Sequence, residues 1–249
     1  MPDRTPIAIE AAGLSKSYGA LQVTRDVSFA LPSGVALGII GPNGAGKTTL
    51  FNLLTGTARA DRGTVRFFGA DITAKDAKAR SAMGIARSFQ VPQPFGGLTL
   101  FENALVAATF GQNLSEAAAR PVALEALGRT GLLSKATKRA GELGLLDRKR
   151  LELTRSIATN PKLLLLDEIA GGLTDAECAE LIDLILTIKA SGVTILWIEH
   201  VLHALLRVVD RVMVLDFGQK IAEGEPQAIL QSPEVAAIYL GLDPEVAHV

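Results

Sequence analysis

Residues Gly41-Pro42-Asn43-Gly44-Ala45-Gly46-Lys47-Thr48-Thr49 leave less freedom of fold than any other stretch of this chain. The apolar run Val35-Ala36-Leu37-Gly38-Ile39-Ile40 precedes them and Leu50-Phe51-Asn52-Leu53-Leu54 follows. The order reads strand, glycine-rich loop, helix, which is the context a phosphate-binding loop requires. Glycines let main-chain N–H groups turn inward around an anion. The helix that begins near Lys47 brings its positive dipole end to the same point. In this reading Lys47 reaches the β- and γ-phosphates as a point charge, Thr48 places its hydroxyl on Mg2+, and Thr49 helps to hold the α-phosphate. A turn that merely packs is a poorer account, because strand and helix both fall on the correct sides.

The remaining composition narrows the class. A chain of 249 residues, 48 % hydrophobic and 20 % charged, is long enough for one large or two small domains with a substantial core. Its net charge of −1 speaks against a dominant nucleic-acid surface. A single cysteine, Cys178, excludes an internal disulfide and a cysteine zinc cluster, and its helical setting makes it a structural thiol. The apolar runs at 35–40, 163–166 and 193–198 are too short for a bilayer. The start Met1-Pro2-Asp3-Arg4 lacks an apolar signal core, so a cytoplasmic location is expected. Mean hydropathy of +0.30 is high for such a chain and would suit a surface that docks on something apolar.

Along the chain, the first thirty residues alternate as β-structure, with Gly13, Ser17 and Gly19 as turn formers. Tyr18 stands there as an aromatic ring able to stack on a purine, or as an ordinary rim residue. A turn and short strand follow at Asp61–Gly69, residues 71–82 look helical, and Gly84–Gln90 reads as a buried strand. Val91–Thr99, with two prolines and two glycines, is a loop and a hinge. From Leu100 to Leu143 alanine-rich helical patterns dominate, with breaks expected at Gly111, Pro121 and Gly131. The basic run Arg148-Lys149-Arg150 is read as a solvated face. Leu163–Leu166 is a continuous apolar run of the kind found where both faces of a parallel strand are covered. A helix is expected from about Asp175 to Ala190, then a strand at Val193–Ile198 with Trp197 in the core, and a helix around 201–208. A strand at Arg211–Leu215, a hairpin turn at Asp216-Phe217-Gly218 and short helices at Pro226–Leu230 and Pro233–Leu240 complete the reading.

A phosphate loop alone suits GTPases, small-molecule kinases, helicases and transport ATPases. Leu166-Asp167-Glu168 narrows the choice. An aspartate ending a buried strand can hold Mg2+ through water, and a neighbouring glutamate can polarise a water in line with the γ-phosphate. Lys47 and Asp167 lie 120 residues apart, which suits an inserted subdomain. His200 ends the next strand, after Glu199, where it can hydrogen-bond a γ-phosphate or the attacking water.

Taken together, these residues resemble the nucleotide-binding subunits of ABC transporters over roughly residues 7–241. Gly41–Thr48 matches Walker A, Gln90 the Q-loop glutamine, Leu163–Asp167 Walker B and Glu168 the catalytic glutamate. Gly172-Leu173-Thr174-Asp175 resembles the D-loop, His200 the H-switch and Tyr18 the adenine-stacking aromatic. The resemblance implies a P-loop NTPase (RecA-like) α/β core with an antiparallel β subdomain and an inserted α-helical subdomain. The expected division is 1–90, 91–155 and 156–249. It further implies ATP and Mg2+ as ligands, the metal held by Thr48, Gln90 and Asp167, with Glu168, His200 and Gln90 serving hydrolysis. Implied partners are transmembrane permease subunits, a second cassette and, indirectly, a periplasmic solute-binding protein, but no nucleic acid. The implied location is peripheral, on the inner face of the cell membrane.

Finer details resemble the importers of branched-chain and related amino acids. These are Ala86-Arg87-Ser88-Phe89-Gln90 with Phe95-Gly96-Gly97-Leu98-Thr99, Ala158–Lys162, Ile198-Glu199-His200 and Ile238-Tyr239-Leu240-Gly241. Importers of urea or short amides are the alternative cargo class. A soluble ABC ATPase of DNA repair or translation fits less well, since the chain lacks a coiled coil, zinc cysteines or a second cassette. A nucleotide sensor with little turnover is disfavoured by Glu168 and His200. One departure stands out. The family signature Leu-Ser-Gly-Gly-Gln falls at Leu143-Gly144-Leu145-Leu146-Asp147, so its serine, both glycines and its glutamine are replaced. Losing the hydroxyl removes a charge-assisted hydrogen bond of about 1.5–3 kcal/mol. Asp147 is expected either to face phosphate and repel it, or to cap the helix.

Overall fold

The computed structural model describes residues 5–89, 91–233 and 235. The chain opens with a long hairpin, β1 (Ile7–Tyr18) and β2 (Leu21–Pro32), closed by the Tyr18–Leu21 pair. β1 runs through Gly13 and Ser17 without a turn; the expected breaks are absorbed as register shifts between Ala11, Leu14, Lys16 and Ser17. β3 (Ala36–Ile40) then leads through the glycine loop into α1 (Lys47–Thr55). β4 (Arg62–Phe67) and the two-residue β5 (Ala70–Asp71) complete a four-stranded antiparallel sheet in the order β2-β1-β4-β5.

Of the helix expected over 71–82 only α2 (Ala77–Ala82) forms, because the Asp76 side chain accepts from the Ala79 N–H and starts it there. β6 (Ile85–Arg87) is a three-residue edge strand, shorter than the sequence suggested. α3 (Leu100–Gln112) starts at a capping box formed by Thr99 and Glu102, and α4 (Glu116–Arg129) starts at Ser115. The predicted breaks at Gly111 and Pro121 are not there. Gly111 lies inside α3 as a contact residue, where a Cβ would stand 2.5 Å from Thr159 Cγ2. Pro121 is carried inside α4. α5 (Leu145–Ala158) packs on α3 and α4 around Leu100, Ala104, Ala123, Leu127, Leu143 and Leu151.

The second sheet assembles late. β7 (Leu163–Asp167), α6 (Asp175–Ala190), β8 (Thr194–Ile198), α7 (Leu202–Leu206), β9 (Arg211–Asp216), β10 (Gln219–Gly224) and α8 (Pro226–Leu230) follow in order. The six strands lie as β10-β9-β3-β8-β7-β6, all parallel except β10, which pairs antiparallel with β9. Alternate residues of β7 serve different cores, which is why its sequence is apolar throughout. Leu163 and Leu165 join Ile39, Leu50, Phe51 and Leu31 between the two sheets. Leu164 and Leu166 join Trp197, Leu181, Ile185 and Val212 beneath α6. Cys178 belongs to that second layer as a free buried thiol, and burial pushes its pKa up.

The basic run is not a solvated face. Lys149 is 3 % exposed and Arg150 pairs with Glu180 at 2.5 Å and with Asp147, leaving Arg148 as the exposed member. Among the described residues no helix is long and apolar enough to cross a membrane.

Candidate active site

The glycine loop emerges from the carboxyl end of β3, an interior strand of the second sheet between β9 and β8. Gly46 caps α1 at φ 94 with no side-chain cap, so the first N–H groups of the helix are left for another acceptor. Its backbone also lies against β2: a Cβ there would sit 2.5 Å from the Val23 carbonyl oxygen. The turn between β9 and β10 joins β2 there, with the Gly218 N–H donating to Ala45 O at 3.1 Å and the Arg25 N–H donating to Gly218 O at 2.7 Å. Asn43, Gly44 and Thr48 are exposed, whereas Gly41, Ala45 and Lys47 are buried and Pro42 and Thr49 half-buried. The Lys47 ammonium donates to Gly41 O at 2.8 Å and Pro42 O at 2.9 Å. Burial lowers its pKa, while the nearby charges of Glu168 and Asp167 act to raise it.

Asp167 and Glu168 stand beside this loop with different partners. Asp167, 5 % exposed at the end of β7, accepts from Arg87 Nη2 at 2.5 Å. Arg87 Nη1 donates to Asn52 Oδ1 of α1 at 2.6 Å. Glu168 has left the strand at φ 47, and its N–H donates to Ile198 O at 2.8 Å. A left-handed non-glycine residue costs roughly 1–3 kcal/mol and marks a conformation the surroundings impose. The effect is to turn the Glu168 carboxylate to His200, with Oε1 and Nε2 3.0 Å apart.

Glu199 is what holds that geometry. It is 2 % exposed, and its carboxylate accepts from the Ala170 N–H at 3.0 Å, the His200 N–H at 3.0 Å and the Val201 N–H at 3.3 Å. One side chain thereby ties the segment after Glu168 to the segment carrying His200. Glu199, Arg87 and Asn52 were not singled out as site residues from sequence. The available signal was an acidic residue directly after the buried run Thr194–Ile198, and an arginine ending an apolar β6.

Tyr18 is 50 % exposed, with Lys16 Nζ 5.4 Å from its ring centre. It pairs with Leu21 at the end of the same hairpin whose Val23 touches Gly46. Gln90 and the segment Ile238–Gly241 lie outside the described residues. The degenerate signature places Gly144 at the N-cap of α5 with no side-chain bond. Asp147 does not cap; it pairs with Lys135 and Arg150. Leu145 is 42 % exposed, and its Cδ2 lies 3.3 Å from where a Cβ of Gly172 would be.

The set can do phosphate chemistry: unshared N–H groups and Lys47 for anions, hard oxygens of Thr48 and Asp167 for a small dication, and a carboxylate–imidazole pair for a water. Among the described residues no cluster of three or more His, Cys, Asp or Glu could hold a metal alone. Such a donor set fits Mg2+ held jointly with nucleotide phosphates.

Residues 24–171 match the protein family described as ABC transporter. The chain is an ABC transporter ATP-binding cassette. It is similar to the high-affinity branched-chain amino acid transport ATP-binding protein LivG of Salmonella typhimurium strain LT2, 36 % identical over 244 residues, covering 92 % of this chain and 96 % of LivG. BraF of Pseudomonas aeruginosa, also a high-affinity branched-chain amino acid transport ATP-binding protein, is 33 % identical, covering 94 % and 97 %. The ADP conformation of MJ1267, a cassette of an ABC transporter, superposes with a TM-score of 0.86 at 32 % identity over 94 % of this chain and 99 % of that one. The family and fold expected from the motifs are therefore those found, and the enzymatic class is ATPase.

Proposed function

We propose that this cassette binds Mg–ATP at the β3–α1 loop and drives an importer for branched-chain or other hydrophobic amino acids. It does so from the cytoplasmic face of the membrane. The observation that carries the catalytic part is the Glu168–His200 pair, 3.0 Å apart beside Lys47 and Asp167. The cargo reading is supported by the near full-length similarity to LivG and BraF.

In this proposal the N–H groups of Gly44–Thr48 grip the phosphate chain, and Lys47 exchanges its two carbonyl partners for β- and γ-oxygens. Thr49 supports the α-phosphate and Tyr18 lies against the base. Thr48, Asp167 and Gln90 would hold Mg2+, which when bound neutralises charge on the β- and γ-oxygens. Glu168 orients and deprotonates the attacking water, and His200 steadies Glu168 and bonds the γ-phosphate. Replacing Glu168 by Gln should abolish turnover while leaving ATP bound; unchanged turnover would assign the base elsewhere.

Transmission to a permease rests on a groove of about 790 Å³ between the core and the helical region 91–155. Phe89, Phe95 and Phe110 line it, and Phe110 is 81 % exposed, an apolar surface suited to a helix of a membrane partner. A second cassette would complete the site across the N-terminus of α5. Because Gly144 brings no hydroxyl, activity rests mainly on the site combining this chain's phosphate loop with an intact signature from a partner. ATPase rates of the chain alone and mixed with its partner cassette test this, and equal rates would refute it. Uptake of labelled leucine, urea and acetamide by vesicles carrying the reconstituted transporter decides the cargo, with leucine the expected substrate.

A further inference from the structure

Arg87 is the last residue of β6; both terminal guanidinium nitrogens are engaged, while Nε is buried without a hydrogen-bond partner among the described residues. Nη2 donates to Asp167 and Nη1 to Asn52, at side-chain exposures of 10 % for Arg87 and 7 % for Asp167. The rings of Phe51 and Phe89 lie 5.5 and 5.4 Å from the guanidinium carbon. Planar, permanently charged and flanked by two aromatic rings, it is a pre-organised counter-ion that a lysine would reproduce only in charge. Around the loop the charges balance: Lys47 and Arg87 against Asp167 and Glu168.

A buried carboxylate is stable when such a partner neutralises it. The same partner works against a dication, which must approach Asp167 in the field of a fixed positive charge. A triphosphate reverses the balance, because it brings several negative charges to Lys47 and the helix terminus. We propose that Arg87 acts as a positioning residue that keeps Asp167 from holding a divalent cation until nucleotide phosphates are present, so that cation and nucleotide enter together. This rests on the assignment of Asp167 to the cation in the function proposed above.

The test is a titration of the purified, nucleotide-free chain with Mn2+ alone, followed by electron paramagnetic resonance of the free ion and by calorimetry. Arg87→Met should bind Mn2+ at least tenfold more tightly than wild type. Arg87→Lys, which retains the charge, should stay as weak as wild type. Arg87→Gln keeps hydrogen bonding without charge and should show the same gain as Met, which protects the test if the Met variant does not fold. The gain should vanish when Asp167→Asn is added. Equal Mn2+ affinity in wild type and the charge-free variants, or a gain that survives Asp167→Asn, overturns the proposal. Failure of the underlying assignment reads differently: wild-type ATP binding whose Mg2+ dependence is untouched by Asp167→Asn removes Asp167 from the cation site, whatever Arg87 does.

Discussion

Replacing Glu199 tests whether one buried carboxylate holds the catalytic segment together. Its three N–H partners, on Ala170, His200 and Val201, are main-chain groups after two different strands, and the side chain is 2 % exposed. Hydrogen bonds to a charged acceptor contribute about 1.5–3 kcal/mol each, and a buried donor left without an acceptor costs about 1–3 kcal/mol. These terms overlap, since water enters the space that Ala leaves, so Glu199→Ala is expected to lose about 4 kcal/mol. Gln keeps one oxygen for His200 and Val201 but turns its amide N–H2 against the Ala170 N–H, for a loss of about 2 kcal/mol. For a chain of this size these losses lower Tm by roughly 8–16 °C and 4–8 °C. Urea unfolding with an unchanged slope and a lowered midpoint is the assay, with thermal unfolding alongside. In the same preparations kcat for ATP should fall while KM holds, because the phosphate loop does not depend on Glu199. A Gln and an Ala variant both within about 0.5 kcal/mol of wild type would refute the reasoning, since one buried and two part-buried donors do not lose a charged acceptor at so small a cost.

Further outcomes follow from the same structure. Gly46→Ala puts a Cβ 2.5 Å from the Val23 carbonyl at φ 94, so ATP affinity measured by fluorescent-nucleotide titration should fall at least tenfold, with about 2 kcal/mol of stability lost. Burial lowers the Lys149 pKa in the folded chain, so between that lowered value and 10.5 the unfolded chain binds more protons and stability rises with pH. Lys149→Met should flatten the alkaline stability profile, leaving the part due to Lys47, which burial lowers in the same direction. Phe110→Ser should leave Tm within about 1 °C while weakening co-purification with permease subunits, because its ring is 81 % exposed.

What could be read in advance was local or forced by periodicity. The loop 41–49 is legible because its flanking elements and its glycines are contiguous, and β7 because a strand covered on both faces has no polar position to spare. α6 starts where Thr174 and Glu177 form a capping box. What escaped depends on partners far along the chain. Gly111 looked like a break and is a contact against Thr159, while Pro121 is tolerated inside α4. Lys149 sits in a run of three cations yet faces inward, since α5 is enclosed on more than one face and buries eight of its 14 residues. Asp147 had two readings, and the structure decides against the cap: its carboxylate pairs with Lys135, twelve positions earlier, and Gly144 is the N-cap. The roles of Arg87 and Glu199 depend on which strand ends meet, and no spacing rule announces that.

The clamp on the glycine loop has a consequence for biosynthesis. Val23 and Arg25 from the first hairpin and Gly218 from the last one meet each other against the loop and brace it together. Gly218 leaves the ribosome long after residue 45, roughly nine to thirty-five seconds later at ordinary elongation rates of about 5–20 residues per second. Throughout that interval a half-made chain already displays the most recognisable motif of its family and yet lacks the brace that shapes it, so nascent cassettes should ignore cellular ATP until synthesis is nearly finished.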